Sequence, residues 1–468
     1  MTVILACAIF VITYALIATE RIHRVTAALG GAAAIALVGV VDTQTAFYSE
    51  DSGVDWNVIF LLFGMMLIVG VLKQTGLFDY LAVWAAQKSR GRPFRLMVLL
   101  IVVTAGASAL LDNVTTVLLV APVTLTICEK LGLRPVPYLI VLAFASNIGG
   151  TATLIGDPPN IIIASRADLS FNDFLLHLAP IVLVILIGFI GLCWLLFRRQ
   201  FQYSRSHARA VMDLRPGDTI TDRRLLARCL VVLLLVTVGF SLHSVLHVQP
   251  SLIALLGAGT MIVVSRTTPA QFLEEVEWPT LVFFMGLFVL VGGLINVGVI
   301  DSLGQAAIDA TGDRFFLAAT GLLFGSAVLG AFVDNIPYTA TMAPIVEDLA
   351  SAAPTVETGE SLWWAFALGA DFGGNTTAVA AGANVVIIGI AARHQHPISF
   401  WEFTKYGLVV TAFTLVLAWP YVSLRYFAIG RATGARTQRP PPGPPTPFSS
   451  RRSRVEAVGC PRGLFMGR

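Results

Sequence analysis

A short polar pattern occurs twice in this chain, 222 residues apart, within otherwise apolar sequence. The two copies read Asp112-Asn113-Val114-Thr115-Thr116 and Asp334-Asn335-Ile336-Pro337-Tyr338-Thr339. A glycine-rich pattern follows each copy: Gly149-Gly150-Thr151 with Asn160 downstream, then Gly373-Gly374-Asn375-Thr376 with Asn384 downstream. Because charge is expensive in hydrocarbon, carboxylates and amides placed there indicate a binding role. Two matching sets at membrane depth predict a protein made of two related halves, a plan found among secondary transporters.

Composition places the chain among polytopic membrane proteins. Of its 468 residues, 56% are hydrophobic and only 13% are charged, and the mean hydropathy is +0.79. These values lie outside the range of ordinary soluble domains, so the lipid bilayer is the expected partner and nucleic acid is not. The five cysteines form no CxxC pair, which argues against a disulfide scaffold and a zinc site. No cofactor is expected beyond a coupling ion, either sodium or a proton.

Apolar runs long enough to cross a membrane recur along the chain. A helix needs about 20 residues to cross a hydrocarbon core of about 30 Å. Spans are predicted near residues 2–19, 25–41, 57–73, 136–165 and 173–197, and again near 225–243, 250–265, 280–297, 362–392 and 403–427. Two further pairs of apolar limbs carry the Asp-Asn pairs at their turns, 94–111 with 114–128 and 315–333 with 337–350. Each pair of limbs is a predicted hairpin.

These elements predict an all-α polytopic membrane protein with two inverted repeats of five spans, each with a re-entrant hairpin and a broken helix. A hairpin returns to the side it entered, so each half makes an odd number of crossings and the two halves have opposite orientation. The predicted domains are a first repeat at 1–197, a cytoplasmic basic linker at 198–224, a second repeat at 225–430 and a basic tail at 431–468. The tail is rich in proline and arginine and is expected to be disordered.

The distribution of basic residues predicts the orientation. Lysine and arginine in short loops are retained on the cytoplasmic side. With the amino terminus outside, 20 lysines and arginines fall on the inner side, whereas only Arg166, Arg314 and Arg425 fall outside before the tail. This bias indicates a multi-pass protein of the inner or plasma membrane with its amino terminus outside.

The glycine-rich segments predict helices that are interrupted within the membrane. Pro158 and Pro159 remove backbone donors after the first segment. The second segment has no proline, so its break depends on Gly373, Gly374 and Gly382. Irregular backbone at membrane depth is tolerated where it lines a cavity or is buried in protein. The alternative is that the glycines only allow helices to pack closely.

Four aspartates lie within apolar segments and need water, a cation or hydrogen-bond donors. They are Asp112, Asp157, Asp334 and Asp371. Asp112 and Asp334 stand at the predicted hairpin tips, where each could bind a cation or could cap the helix limb that follows. Asp112, Asn113, Asp334 and Asn335 are the candidate sodium ligands.

Several stretches of the chain resemble a known family across roughly residues 1–430. They are LDNVTTVLLVAPVT from Leu111, SNIGGTATLIGDPPNIII from Ser146 and DNIPYTATMAPI from Asp334. They are similar to the ArsB/NhaD ion transporter superfamily with its citrate transporter-like domain, and within it to the P protein-like subgroup. The resemblance implies two inverted repeats, each with a scaffold part and a mobile part, that work as a homodimer by an elevator movement.

The candidate substrate and ion site combines the positions that match the family's tips and broken helices with Asp157 of the GDPPN segment. Its members are Asp112, Asn113, Thr115, Thr116, Asn147, Gly149, Gly150, Thr151, Asp157, Asn160, Asp334, Asn335, Thr339, Gly373, Gly374, Asn375, Thr376 and Asn384. In dicarboxylate carriers of the superfamily the tips read Ser-Asn-Thr, whereas this chain has Asp in place of Ser. The extra negative charge disfavours a dicarboxylate at the tips.

The expected function is secondary active transport of a small inorganic or organic ion, of the arsenite or anion efflux permease type, coupled to protons or sodium. The alternatives are a sodium-proton antiporter, a dicarboxylate or citrate-type organic anion transporter, and a passive anion channel. Paired aspartates also occur in intramembrane proteases, but the residues before Asp157 do not form the GxGD segment of those enzymes. The chain has no GxxxxGK[ST] sequence, so it is not expected to use ATP itself, although an ATPase subunit is compatible with the sequence.

Overall fold

Every regular element in the described part of the chain is a helix. The computed structural model describes residues 1–19, 21–49, 51–201, 216–266 and 268–429. The first half contains α1 (Thr2–Thr19), α2 (Arg24–Leu37), α3 (Thr43–Tyr48), α4 (Trp56–Gln74), α5 (Leu77–Ser89), α6 (Pro93–Ser108), α7 (Asn113–Leu131), α8 (Pro135–Gly150), α9 (Pro158–Ala167), α10 (Phe171–His177) and α11 (Ala179–Phe197). The predicted tail and residues 202–215 of the predicted linker lie outside the described residues.

The second half repeats much of this order. It contains α12 (Arg223–Leu246), α13 (Pro250–Ser265), α14 (Pro269–Glu274), α15 (Trp278–Asn296), α16 (Val299–Thr311), α17 (Phe315–Gly330), α18 (Asn335–Ser351), α19 (Val356–Gly373), α20 (Gly382–Arg393) and α21 (Phe400–Val422), which continues as a π-helix over Ser423–Ile429. Short 3-10 turns cover Arg198–Gln200 and Pro216–Thr219 between the halves. Each half contains a hairpin and a broken helix, and the five spans expected in each half stay a prediction.

Seven helices in the described ranges are long and apolar enough to cross a membrane. They cover Thr2–Thr19, Trp56–Gln74, Asn113–Leu131, Ala179–Gln200, Arg223–Leu246, Trp278–Asn296 and Phe400–Ala428. Shorter apolar helices include the first limb of each hairpin, α6 and α17, and the first part of the first broken helix, α8. This pattern confirms the polytopic architecture, while the inverted orientation of the two halves stays a prediction.

Both hairpins turn at an aspartate because that residue caps the second limb. α6 and α7 form the first hairpin, and the Asp112 carboxylate accepts a hydrogen bond from the Thr115 amide at 2.8 Å. α17 and α18 form the second, and the Asp334 carboxylate accepts from the Ile336 amide at 3.1 Å. A carboxylate at this position satisfies an amide that has no partner within the helix. The predicted turns are therefore present, and both aspartates are helix caps.

Both predicted helix breaks are present. α8 ends at Gly150 and α9 begins at Pro158, where a proline at the first helical position loses no intrahelical hydrogen bond. α19 ends at Gly373 and α20 begins at Gly382. Four helices, α8, α9, α19 and α20, therefore end or begin in the interior, beside the two hairpin tips.

Glycines hold each broken helix against the first limb of its own hairpin. A Cβ on Gly149 would lie 2.3 Å from the Ala105 carbonyl oxygen, and one on Gly373 would lie 2.8 Å from the Ala327 Cα. Separations this short leave no room for a side chain. Close helix packing, the alternative role expected for these glycines, is therefore the role that Gly149 and Gly373 have in the structure.

The helices outside the hairpins pack against helices of the other half. Gly64 of α4 packs against Ala254 of α13, and Gly286 of α15 packs against Ala28 of α2. The hairpins also contact the other half: α7 packs on α20, and α18 packs on α9. The hairpin tips and the broken helices of both halves therefore meet in one region.

Candidate functional site

The Asp157 carboxyl group lies where the two hairpin tips meet. Asn113 Nδ2 of the first tip donates to Asp157 Oδ2 at 2.9 Å, and Asn335 Nδ2 of the second tip donates to Asp157 Oδ1 at 3.4 Å. Asp157 is 1% exposed and its side chain does not cap α9. Its hydrogen-bond partners in the described chain are amides and not basic side chains. One buried carboxyl group therefore connects the moving parts predicted for both halves.

A relay of asparagine side chains continues from Asp157 into the second half. Asn113 Nδ2 also reaches Asn147 Oδ1 at 3.1 Å. Asn147 Nδ2 then donates to Asn375 Oδ1 at 3.1 Å and to Asn384 Oδ1 at 3.2 Å. All of these amides are buried. The structure thus brings five of the predicted asparagines and Asp157 into one cluster, which we call the amide centre: Asn113, Asn147, Asp157, Asn335, Asn375 and Asn384.

Equivalent hydrogen bonds in the two halves stabilise the break in each broken helix. Asn160 Nδ2 donates to the Thr153 carbonyl at 3.0 Å, and Asn384 Nδ2 donates to the Thr377 carbonyl at 2.9 Å. Thr153 Oγ1 then donates to the Ala109 carbonyl at 2.6 Å, and Thr377 Oγ1 donates to the Ala331 carbonyl at 2.7 Å. Sequence reasoning did not select Thr153 and Thr377, although their equivalent positions in the two glycine-rich patterns were the available signal.

Several buried polar atoms at the site have no hydrogen-bond partner within the described chain. They are Asn113 Oδ1, Thr116 Oγ1, Asn160 Oδ1, Thr339 Oγ1, Asn375 Nδ2 and both carboxyl oxygens of Asp371. Unpaired buried polar atoms are uncommon, and a group of them is a candidate place for an ion, a water molecule or a solute to bind. Most of these atoms are oxygens, which suit a proton or a hard cation such as sodium. The described residues contain no group of three or more His, Cys, Asp or Glu side chains for a metal ion.

The remaining predicted residues have other surroundings. Thr151 Oγ1 donates to the Asn147 carbonyl at 2.9 Å, and Thr376 Oγ1 lies 3.0 Å from Thr411 Oγ1. Gly150 and Gly374 lie at the helix ends next to the breaks, where a Cβ would meet backbone oxygens at 2.5 Å and 3.0 Å. Thr115 lies apart from the amide centre and lines a separate cavity of about 270 Å³ with Lys73 and Glu277.

A cavity of about 370 Å³ leads to the second hairpin tip. Its walls include Arg24, and Arg24 Nη1 lies 3.4 Å from Asp334 Oδ2. Val114 and Gly382 line it as well, so the amino-terminal ends of α7, α18 and α20 all meet this cavity. Helix amino termini and an arginine both favour a negatively charged ligand. Sequence reasoning assigned Arg24 to the topology bias alone, and no local motif distinguished it.

Two transporters of known structure share this fold. The Alcanivorax borkumensis YdaH transporter aligns with a TM-score of 0.54 at 15% identity, over 79% of this chain and 85% of that one. Neisseria gonorrhoeae MtrF, described as one of a class of antimetabolite efflux pumps, aligns with a TM-score of 0.51 at 16% identity, over 78% and 81%. At such low identity the likeness concerns the fold alone.

Sequence comparison gives nearer relatives. An uncharacterized transporter of Mycobacterium tuberculosis is 53% identical over 426 residues, which cover 91% of this chain and 99% of that protein. The P protein of Homo sapiens is 33% identical over 92% of this chain, which corresponds to 60% of the P protein. The family model described as citrate transporter, CitMHS, matches residues 14–369. The chain therefore belongs to the CitMHS citrate transporter family and is a multi-pass membrane transporter.

Proposed function

We propose that this transporter is a secondary active carrier of a small anion, of the arsenite or anion efflux type, driven by protons or sodium ions. The observation that carries the proposal is the Asp157 carboxyl group held by Asn113 and Asn335, one from each hairpin tip. A buried carboxylate without a basic partner is costly until a cation neutralises it. Because both tips hydrogen-bond to Asp157, a cation that binds there changes the contacts of both hairpins.

In this mechanism the coupling cation binds at Asp157 from one side of the membrane. Neutralisation of the Asp157 carboxylate lowers the free-energy cost of moving the amide centre through the membrane. The mobile part therefore crosses when the cation is bound and does not cross when the carboxylate is charged. Asn113 Oδ1, which has no hydrogen-bond partner among the described residues, is an additional oxygen for the cation. Asp112 remains a candidate ligand through the oxygen that its capping bond leaves available, whereas Asp334 Oδ2 would first have to leave Arg24 Nη1, which lies 3.4 Å away. The homodimer expected from the resemblance belongs to this proposal, and an ATPase subunit is not needed for it.

The cargo is proposed to enter the cavity beside Arg24. Arg24 and three helix amino termini attract an anion there, and the anion would have to displace the Asp334 carboxylate, which lies 3.4 Å from Arg24 Nη1. The hydroxyl groups of Thr116 and Thr339, which have no hydrogen-bond partner in the described chain, are buried and do not line this cavity, so we assign them no contact with the cargo there. The family description names citrate, and a cavity of about 370 Å³ is large enough for a small organic anion.

Vesicles containing the purified carrier test the proposal. Uptake of arsenite, citrate and small inorganic anions is followed under an imposed proton gradient, an imposed sodium gradient, or neither. We expect one anion to accumulate beyond its own electrochemical gradient when one of the two cation gradients is present. Flux that only relaxes the anion gradient under every condition would identify a passive channel and refute the proposal.

A sodium-proton antiporter is the second candidate. The amide centre favours it, because Asp157 and its neighbours offer oxygens and, within the described part of the chain, have no basic side chain among their hydrogen-bond partners. In the same vesicles, sodium uptake driven by an outward proton gradient without any added anion would support the antiporter. Dependence of that exchange on an added anion would return support to the anion carrier.

A further inference from the structure

Arg24 and Asp334 form an ion pair inside the cavity proposed for the anion. Arg24 Nη1 lies 3.4 Å from Asp334 Oδ2, and both residues line this cavity of about 370 Å³. A tight charge-assisted hydrogen bond is about 2.7–2.9 Å long, so the contact is a loose one. The Arg24 side chain is 35% exposed and the Asp334 side chain is 14% exposed. A ligand that enters the cavity can therefore reach the pair.

Each member of the pair has a second contact that does not depend on the other member. The Arg24 guanidinium lies over the Phe283 ring at 5.5 Å from its centre, which is a cation–π distance. Asp334 Oδ1 accepts a hydrogen bond from the Ile336 amide at 3.1 Å, and only Oδ2 faces Arg24. Opening the pair therefore frees Arg24 Nη1 and Asp334 Oδ2 while both side chains keep their other contacts.

The first hairpin tip has no such ion pair. Asp112 corresponds to Asp334 at a shift of 222 residues, and it caps its helix in the same way through the Thr115 amide at 2.8 Å. In the described part of the chain, Asp112 forms no ion pair. The cap therefore does not require an arginine, and the contact with Arg24 is an addition found at the second tip.

An anion and a cation must each open this same pair in order to bind there. An anion on Arg24 leaves the Asp334 carboxylate without its basic partner, and a cation on Asp334 Oδ2 leaves the guanidinium without its acid. A charge that is shielded from water and has no partner is costly. The first ligand therefore bears the cost of opening, and the second ligand finds its partner already free. Each ligand strengthens the binding of the other by the same factor.

The charges around the pair also favour joint binding. Asp334 interacts electrostatically with Arg24 and with Asp157 of α9, and Arg24 also interacts with Glu277, which precedes α15. His23 lines the same cavity. When an anion occupies Arg24, its positive charge no longer offsets these carboxylates. A cation at Asp334 restores the balance.

We propose that the Arg24–Asp334 ion pair couples the two ligands of the carrier: the anion takes Arg24, and the cation takes the Asp334 carboxylate that Arg24 releases. The inference rests on the proposed function and deepens it, because it gives the reason why the anion and the cation bind together. A proton would come from water and convert the carboxylate into a neutral carboxylic acid, whereas sodium would be coordinated by the carboxylate oxygen. No other bond forms or breaks.

Cation binding to the purified carrier tests the competition without any anion. Thermal unfolding is followed as sodium is raised at constant alkaline pH, and as pH is lowered without sodium. In Arg24→Gln no guanidinium competes for Asp334, so one of the two cations should give half-maximal stabilisation at a concentration about fivefold or more below the wild-type value. The double variant Arg24→Gln/Asp334→Asn should lose this gain. Arg21→Gln should match wild type, because Arg21 is exposed and does not line the cavity.

Citrate binding tests the anion side of the coupling, since the family description names citrate. The Kd for citrate is measured with purified carrier at low and high concentrations of the cation that stabilises it. The cation should lower this Kd about fivefold or more in wild type and in Asp157→Asn. Asp334→Asn should bind citrate without the cation as tightly as wild type does with it, because Arg24 is already free.

Two results would overturn the inference. One is a gain in cation binding by Arg24→Gln that is absent for both cations or that persists in the double variant. The other is a cation effect on the citrate Kd that Asp334→Asn keeps in full. If the cation results hold but vesicles accumulate no anion, the proposed function fails and the competition at Asp334 stands. Cation-driven anion accumulation in vesicles, together with an unchanged cation response in Arg24→Gln, would keep the proposed function and remove the coupling role of the pair.

Discussion

At the residue scale, amides and not aspartates make most of the contacts at the centre of this transporter. Asn147 alone receives a bond from the first tip and donates two to the second half. The tip aspartates, in contrast, use one oxygen each to cap a helix. An aspartate at a hairpin tip therefore has a structural role in addition to any ion that it binds.

Asn147→Asp tests the amide relay. The change removes two donated hydrogen bonds and leaves Asn375 Oδ1 and Asn384 Oδ1 without a donor. Each orphaned oxygen costs about 1–3 kcal/mol, so the variant should unfold at a clearly lower temperature in detergent. Asn57→Asp is the matched control, because Asn57 is exposed and its oxygen accepts from Ser251 Oγ in either form. Equal unfolding temperatures for the two variants would contradict the relay.

Arg24→Gln tests the proposed anion cavity. Arg24 lines the cavity beside Asp334, whereas Arg21 is exposed and does not line it. A charge-assisted hydrogen bond contributes about 1.5–3 kcal/mol, so the KM for the transported anion should rise about tenfold or more in Arg24→Gln. Arg21→Gln should keep the wild-type KM. A KM that is unchanged in Arg24→Gln would place the anion elsewhere.

At the element scale, the breaks in α8–α9 and α19–α20 and the capped hairpins create the site together. The sequence predicted both, because Pro158, the glycine pairs and the tip aspartates act locally. It could not predict which half each tip would contact. Contacts such as α7 with α20 depend on the packing of whole helices, and Arg24 reaches Asp334 only through that packing.

Gly149→Ala tests the close approach of α8 to α6. The new Cβ would meet the Ala105 carbonyl oxygen at 2.3 Å, and overpacking of this kind costs about 1–3 kcal/mol. Gly106→Ala is the control on the neighbouring helix, since a Cβ there has nothing within 4 Å. Because alanine favours helix over glycine, Gly106→Ala should unfold at or above the wild-type temperature. Gly149→Ala at the same temperature would mean that α8 can move away from α6 at little cost.

At the scale of the whole molecule, the central prediction of the sequence that awaits a test is the inverted orientation. If the halves are inverted, the connections that precede the two hairpins face opposite sides. Lys88 lies near the end of α5, just before the first of these connections, and Asp313 lies in the second connection. Both residues are exposed. Single cysteines, Lys88→Cys and Asp313→Cys, are introduced into a variant without the native cysteines.

A membrane-impermeant maleimide should label Asp313→Cys in intact cells and Lys88→Cys only after the membrane is opened. This expectation follows from the inner side holding 20 basic residues, Lys88 among them. Labelling of both positions from the same side would contradict inverted repeats.

The central claim is that a cation at Asp157 drives transport, and cation-driven accumulation by Asp157→Asn vesicles is its most direct measurement. Asp168→Asn is the matched control, because it alters the other end of the same helix at an exposed left-handed position that asparagine adopts readily. We predict that Asp157→Asn folds and binds the anion but accumulates it no better under a proton or sodium gradient than without one, whereas Asp168→Asn accumulates it as wild type does. Full gradient-driven accumulation by Asp157→Asn would contradict the account.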